Sequence, residues 1–488
     1  MAVSFNAIPG NLRVPLFYAE VNAGYVPTVS PSRLLLIGGM QAVGTATPNQ
    51  PVLVNGRQEG LFGINSMLAT MVIRASIAAP FQEIWALPLL AGGVSQVFTV
   101  NVAASFTGIP AGLYVVNVGD VRVTLYFDPL LYTTPTFATA LAAAINLAPT
   151  EFVAVATATG VTLTSAVPGA FYSRTQITPA YLPSDAPMSL LLTPTVTATT
   201  AGTDPVLTAA LVNLAADEYD FIACPYNTPT SRAAVTALLA ARWNPLQQLY
   251  GAAISFIDDT VGNLQTVGLT LGDPNLTVYG AYNMQSTGSA ITASAAAIHA
   301  AHLQYAPELS RPLQTLALPS ILGPKMPGDK IGPVGQNTLL YSGISTLTTQ
   351  RNGAVQIGRA ITTYQKDVYG NPDQSFLSPN TRAQLVYGIR YMRQYISSVW
   401  GRAALVDANP GGLQNFCTTA DLNASVLHSY QNLCNLGVFD QFQLFAANLI
   451  VERDQTDPSR VNAYLPFAAV NQLTVFAANV TSYLTLAA

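Results

Sequence analysis

Two histidines, His299 and His302, stand three residues apart in an alanine-rich stretch. On a helix that spacing puts both on one face, where two imidazoles could share a metal ion. No cysteine or carboxylate lies close to them in sequence, so a surface or interface role is the stronger reading. Asp258 and Asp259 follow an apolar run that reads as a strand. Catalytic acids and bases of α/β enzymes sit at such strand ends. The same pair also stands just before a helical segment, where carboxylates cap the N-terminus, and capping is favoured. Gly39-Met-Gln-Ala-Val-Gly44-Thr45 has the glycine spacing of a phosphate-binding loop but lacks its lysine, and Gly323-Pro-Lys-Met-Pro-Gly328-Asp329-Lys330 puts Asp where that lysine belongs. There is no GxSxG elbow and no HExxH. Cys224, Cys417 and Cys434 are single and far apart, which predicts free thiols in a reducing compartment. The residues therefore point away from catalysis, and no metal or cofactor is expected.

Three arginines carry more information. Ser378-Pro379 opens a helix that runs to about Trp400. At 100° per residue, Leu385, Ile389, Met392, Ile396 and Val399 make one apolar stripe. Arg382, Arg390 and Arg393 fall beside it, within about 80° of one another, with no acid between them. They are either a solvated face or a docking face for an acidic partner, which arginine suits through bidentate pairing.

Half of the 488 residues are hydrophobic and 9% are charged, against about 25% in an average soluble chain. The mean hydropathy is +0.34. Yet no run of about 18 apolar residues could span a membrane, and the N-terminus lacks the pattern of a secretory signal. A weakly charged, apolar chain of this kind suits a surface covered by partners in a large assembly, although abundant alanine also raises hydropathy. A net charge of −4 and a pI near 5.4 count against a nucleic-acid binder.

The elements that would position these residues follow from periodicity. Residues 1–22 read as an extended arm, with Pro9 and Pro15 disfavouring helix. Residues 23–94 hold two apolar strands around a helix, the start of an α/β core. Residues 95–203 are rich in Thr, Ala, Val and Gly and read as an inserted, mainly β domain, with strands at 112–118, 121–127, 152–156 and 160–165 and a helix near 137–147. Residues 204–335 alternate helices with short apolar strands, beginning with a helix capped at Asp204-Pro205, which predicts a mostly parallel sheet with helices on both faces. Within that range, 311–336 reads as a long proline-rich loop. Residues 336–456 make a C-terminal core domain. It opens on a strand from Asn337, a turn at Asn352-Gly353 and a second strand. Residues 457–488 form a C-terminal arm whose alternation over 470–477 predicts a half-buried strand with no evident partner, a ready site for pairing with another chain.

Arg460-Val461-Asn462-x-x-Leu465-Pro466 followed by Val470-Asn471-Gln472-Leu473-x-x-Phe476-Ala477 resembles the C-terminal arm of Mu-like contractile phage tail sheath proteins. Ser4-Phe5-Asn6-Ala7-Ile8-Pro9, with Arg13-Val14-Pro15 and Glu20, resembles their N-terminal arm. Asn337-x-Leu339-Leu340-x-x-Gly343-Ile344-x-Thr346, then Gly353-x-Val355-x-Ile357-x-Arg359-x-Ile361-Thr362-Thr363-Tyr364, is similar to the family's central segment. The resemblance implies a structural subunit that stacks as hexameric rings around a tail tube and contracts without nucleotide, driving the tube through a host envelope. The inserted domain would face outward. Its implied partners are further copies of itself, the tube protein, and the baseplate and tail terminator proteins, with no nucleic acid and no direct membrane insertion. It would be assembled in the host cytoplasm and reside in the virion tail. Implied subunit-interface residues are Phe5, Ile8, Arg13, Val14, Leu16 and Tyr18 in the first arm, and Val461, Leu465, Val470, Leu473, Val475 and Phe476 in the second. Arg382, Arg390 and Arg393 would face the tube. Asn22-Ala23-Gly24 and Asp457-Pro458-Ser459 would be the flexible links. The alternatives are a hydrolase-like α/β enzyme using Asp258 or Asp259, and another structural protein of the virion.

Overall fold

The computed structural model describes residues 31–90, 92–179, 192–214, 217–409, 411–413 and 415–482. The N-terminal arm, with Phe5, Ile8, Arg13, Val14, Leu16 and Tyr18, lies outside the described residues, as does Asn22-Ala23-Gly24. The first part of the chain forms β1 (Arg33–Gly39), β2 (Val52–Leu53), α1 (Gln58–Phe62), α2 (Met67–Ala78) and β3 (Glu83–Leu89). Next come β4 (Val97–Val102), β5 (Gly112–Val118), β6 (Val121–Phe127), α3 (Thr134–Leu147), β7 (Phe152–Ala156), β8 (Gly160–Ser165), β9 (Ile177–Pro179) and β10 (Leu192–Thr200). The central part holds α4 (Thr208–Leu211), β11 (Phe221–Ala223), α5 (Pro229–Arg242), β12 (Ala252–Asp258), α6 (Val261–Gly268), β13 (Leu276–Ala281), α7 (Gly288–His302), β14 (Ala317–Leu322), α8 (Pro333–Leu340), β15 (Ser345–Thr349) and β16 (Ala354–Arg359). The C-terminal part has α9 (Pro379–Trp400), β17 (Ala404–Leu405), β18 (Phe416–Cys417), α10 (Thr419–Asn435), α11 (Phe442–Asn448), β19 (Ile450–Arg453) and β20 (Val461–Tyr464).

The mixed α/β reading holds. One nine-stranded sheet has the order β14-β16-β15-β13-β12-β11-β1-β3-β2. Every neighbouring pair from β15 through β3 is parallel. β1 is an interior strand, paired on both sides, because Leu34-Leu35-Leu36-Ile37 is apolar on both faces, and all four are fully buried. Each such side chain contributes roughly 1.5–3 kcal/mol by leaving water. The crossovers β1-α2-β3 and β11-α5-β12-α6-β13 step away from β1 in opposite directions, so the right-handed rule sends α2 to one face and α5 and α6 to the other. α7 packs on α2. Its alanines, including Ala293, Ala296, Ala297 and Ala300, are buried and let it lie close to its neighbours.

Between β3 and β11 the chain leaves the sheet and returns, joined at the exit by a bridge from Val94 to Thr203. The excursion makes two small antiparallel sheets, β10-β4-β8-β7 and β6-β5-β9, with α3 packed on them. Their core is continuous with that of the large sheet. Gly39 marks the seam, since a Cβ there would come within 2.7 Å of the Cβ of Val167.

Several elements differ from the sequence reading. The helix expected from Asp204 begins at Thr208 with Leu207 as its cap. Asp204 instead accepts from Ala170 N (2.9 Å), Thr228 N (3.1 Å) and Ser231 Oγ (2.9 Å), so it secures the start of α5. Residues 337–340 end α8, which Pro333 opens, and the strand begins only at Ser345. The β15–β16 hairpin then turns through Gly353 at φ +87, a left-handed value that suits glycine. The stretch read as a loop contains β14, an edge strand that tolerates Pro319 because one side of it needs no ladder bonds.

Candidate assembly interface

The residues with catalytic potential do not converge. Asp258 accepts from Asn283 N (2.7 Å) and Met284 N (2.9 Å), fixing the turn after β13, and burial pushes its carboxyl up to about 6. Asp259 pairs with Arg174 at 2.7 Å, and Thr260, not either aspartate, caps α6. His299 is a core residue: its Nε2 lies 2.8 Å from Tyr279 Oη, and burial pushes it down to about 3. His302 pairs with Glu308 at 3.0 Å. No cluster of three metal-ligating side chains occurs among the described residues. The carboxyl ends of the strands, where an open α/β sheet binds ligands, are approached by the chain itself. The 3-10 turn Ala170–Arg174 packs there against β12. Glu151, from the excursion, accepts from Tyr172 Oη, Thr287 Oγ1 and Ser289 Oγ at the start of α7. Burial raises Glu151 to about 7.

The helix carrying the three arginines has a different role from the one its periodicity suggests. Its buried face is Asn380, Gln384, Gly388, Tyr391 and Met392, whereas Val399 is 46% exposed. Asn380 Nδ2 donates to Leu309 O (2.9 Å) and Arg311 O (2.6 Å), and Gln384 Nε2 donates to Ser310 Oγ (2.9 Å). Gly388 lets the helix lie directly on the ring of Phe439. Polar residues bury here because main-chain carbonyls meet them, which a hydropathy stripe does not register.

Two of the arginines are committed within the chain. Arg390 bonds Glu218 and Asp220, each at 2.6 Å. Burial pushes the Asp220 carboxyl above the usual range, and Arg390 pulls it back. Arg382 donates to Asn275 Oδ1 and lies 3.8 Å above the ring of Trp243, with Phe376 at 4.9 Å. The partners come from the large sheet's side, so α9 is riveted to it. Of Arg382, Arg390 and Arg393, expected to face the tube, the first two thus bond within their own chain, and Arg393 alone of the three is exposed.

A second core holds the C-terminal part together. Tyr430 stacks on Phe445 with centroids 3.6 Å apart, and Phe439 and Phe467 join the stack. Leu465 packs against this core. Tyr430 Oη donates to Asp440 O (2.7 Å) and accepts from Ala468 N (3.2 Å). Val470 N donates to Val438 O (3.2 Å), and Gln384 Nε2 donates to Val470 O (3.0 Å). Leu465 and Val470 therefore contact their own chain. Beyond Val470 there is no regular structure through 482, and Leu473, Val475 and Phe476 are 70, 72 and 85% exposed. The strand expected over 470–477 is absent, and no strand among the described residues supplies it a ladder.

β20, by contrast, has a partner. It pairs antiparallel with β19, Arg453 opposite Val461 and Ile450 opposite Tyr464. Asp454 N bonds Arg460 O, so the alternation turns the main-chain groups of Val451, Arg453, Val461 and Ala463 outward. These outward groups carry no main-chain partner among the described residues. Asp457-Pro458-Ser459 lies inside the hairpin turn. There Asp454 accepts from Thr456 Oγ1 (2.6 Å), Asp457 N (3.0 Å), Asn462 Nδ2 (2.9 Å) and Thr456 N (2.8 Å), bonds that hold its carboxyl well below the usual range. That stretch, expected as a flexible link, is a hydrogen-bonded turn in this structure.

Residues 201–363 match the phage tail sheath protein central domain. The family is structural and not enzymatic. The matched sheath domain spans α4 through β16, more than half of the large sheet. Over 493 aligned residues the chain is 29% identical to the Mu-like prophage FluMu tail sheath protein of Haemophilus influenzae, covering 98% of this chain and 99% of that one. Among solved structures, a sheath tail protein of Desulfitobacterium hafniense is similar at TM-score 0.49 and 9% identity, with 93% of this chain and 97% of that one covered. The helical sheath of the anti-feeding prophage in its contracted state is similar at TM-score 0.49 and 12% identity, with 97% and 100% covered.

Proposed function

We propose that the chain is the subunit of a contractile tail sheath. It polymerises as stacked hexameric rings around a tail tube and contracts without nucleotide, driving the tube through a host envelope. The observation that carries this reading is the β19–β20 ribbon. The ribbon packs on α10, and its outward main-chain groups present two edges without main-chain partners among the described residues. Beside it runs an exposed segment with Leu473 and Val475 two residues apart, the period of one strand face. A neighbour's terminal segment adding to either edge would complete a larger sheet through main-chain bonds, with side-chain pockets setting register. Such a contact is head-to-tail and propagates as a filament.

In this reading Val461 offers an outward main-chain edge, and Leu473, Val475 and Phe476 travel to a neighbour. Leu465 and Val470 anchor the root of the arm, so the flexible reach begins after Val470. The arm bearing Phe5, Ile8, Arg13, Val14, Leu16 and Tyr18 supplies the other added strand. Arg393 is the tube-facing residue. Baseplate and tail terminator proteins cap the polymer, whose place is the virion tail after assembly in the host cytoplasm. Neither nucleic acid nor membrane is a partner. Contraction is then a shift between two packings of riveted cores joined by a permanent mesh. Amide exchange tests the reading: Val461 and Ala463 should exchange rapidly in the dispersed chain and slowly in the polymer. Equal rates in both states would refute strand addition at this ribbon.

A further inference from the structure

A chain that joins its neighbours through open strand edges must keep its other edges closed. Strand β7 is the place where this matters most. Its sequence, Phe-Val-Ala-Val-Ala, has no charge and no proline, the composition most prone to pair with another chain. It lies at the outer edge of the four-stranded sheet, and Val153 and Val155 are 49 and 59% exposed. The register with β8, together with the Thr157 N to Gly160 O bond, turns the main-chain groups of Phe152, Ala154 and Ala156 outward.

Side chains of the chain itself meet two of those three residues. Asn146, exposed in the last turn of α3, donates from Nδ2 to Ala154 O and accepts at Oδ1 from Ala154 N, each at 2.8 Å. An amide that gives and takes at one residue copies the pairing of an antiparallel strand. Thr150 Oγ1 donates to Phe152 O at 3.0 Å. The edge strand β14 is blunted by other means, namely Pro319 and a register break between Leu318 and Leu322. The β19–β20 edges have neither device.

We infer that Asn146, with Thr150, guards β7 against strand addition by a second copy of this chain, and so keeps this edge from competing with the C-terminal ribbon. The guarding stands on geometry alone; its meaning for assembly rests on the sheath reading. The test uses the full chain as Asn146→Ala, Asn146→Ala with Val155→Lys, and both again in an Ala463→Pro background. Readouts are amide exchange at Ala154, sedimentation and negative-stain images. Asn146→Ala should speed exchange at Ala154 about tenfold, the factor carried by one net hydrogen bond. It should also give concentration-dependent irregular aggregates. Val155→Lys should abolish those aggregates without restoring the thermal midpoint, since an edge charge blocks pairing but rebuilds no contact. Unchanged exchange and dispersion in Asn146→Ala, or aggregates that Val155→Lys leaves in place, would overturn the inference. Ala463→Pro disables the ribbon separately. If it fails to affect tubes while Asn146→Ala still aggregates, the ribbon reading falls and the guard stands.

Discussion

Arg390 and Arg393 sit three residues apart on one helix and have opposite fates. Removing Arg390 leaves Asp220 buried without its partner, so Arg390→Ala should lower unfolding stability by about 2 kcal/mol, a discounted value because Glu218 and part of the pair face solvent. Arg393→Ala should change it by less than about 0.5 kcal/mol while weakening tube binding. Denaturant titration and tube co-sedimentation separate the two. Their difference was not legible in the sequence, because the acids that claim Arg390 come from Glu218 and Asp220, far away in the chain. Glu151 was equally silent as a sparse charge in an apolar stretch, yet it joins the excursion to α7. Its folded value near 7 lies above the ordinary 4.5, so its contribution is full below about pH 4.5 and is lost as pH rises through 7. At 1.36 kcal/mol per pH unit, Glu151→Gln should gain about 3 kcal/mol on the wild type between about pH 5 and pH 8. A gap that stays constant with pH would contradict this.

Elements were legible where pattern and partner coincide. Strands β5 to β8 have the bounds expected from alternation and turns, because each pairs with a sequence neighbour and its periodicity is its environment. The parallel core was legible for a similar reason, since apolar runs such as Leu34–Ile37 fit only a buried centre. Legibility failed where a distant element decides. β14 was hidden by Pro319, α8 by an apolar run that fits helix or strand, and the pairing of β20 by a partner upstream of its own turn. The buried face of α9 was misjudged because Asn380 donates to the carbonyls of Leu309 and Arg311, and Gln384 to Ser310 Oγ and Val470 O, all distant in sequence. That face gives a prediction at this scale. Gly388→Ala would drive a methyl into the ring of Phe439, so the C-terminal core should lose about 1–3 kcal/mol. Proteolysis should then cut selectively within 379–470. A midpoint equal to wild type would show that the helix can shift to accommodate it.

At the scale of the whole molecule, two cores and three kinds of edge divide the work. The large sheet and its excursion share one continuous core, and the aromatic stack of Tyr430, Phe439, Phe445 and Phe467 forms another. Helix α9 rivets the second to the first through Arg382 and Arg390. Edges are blunted at β14, bonded by side chains at β7 and left open at β19–β20. The low surface charge, legible in composition, fits a molecule whose surface is covered by copies of itself. What composition could not show is which edge would do the covering in the proposed polymer. The most direct test is negative-stain microscopy of the full chain beside Ala463→Pro, which removes one outward N–H from an exposed position and leaves both cores intact. The account predicts hollow tubes from the wild type, and folded, dispersed subunits with an unchanged thermal midpoint from the variant. Tubes of equal length and number from Ala463→Pro would contradict it.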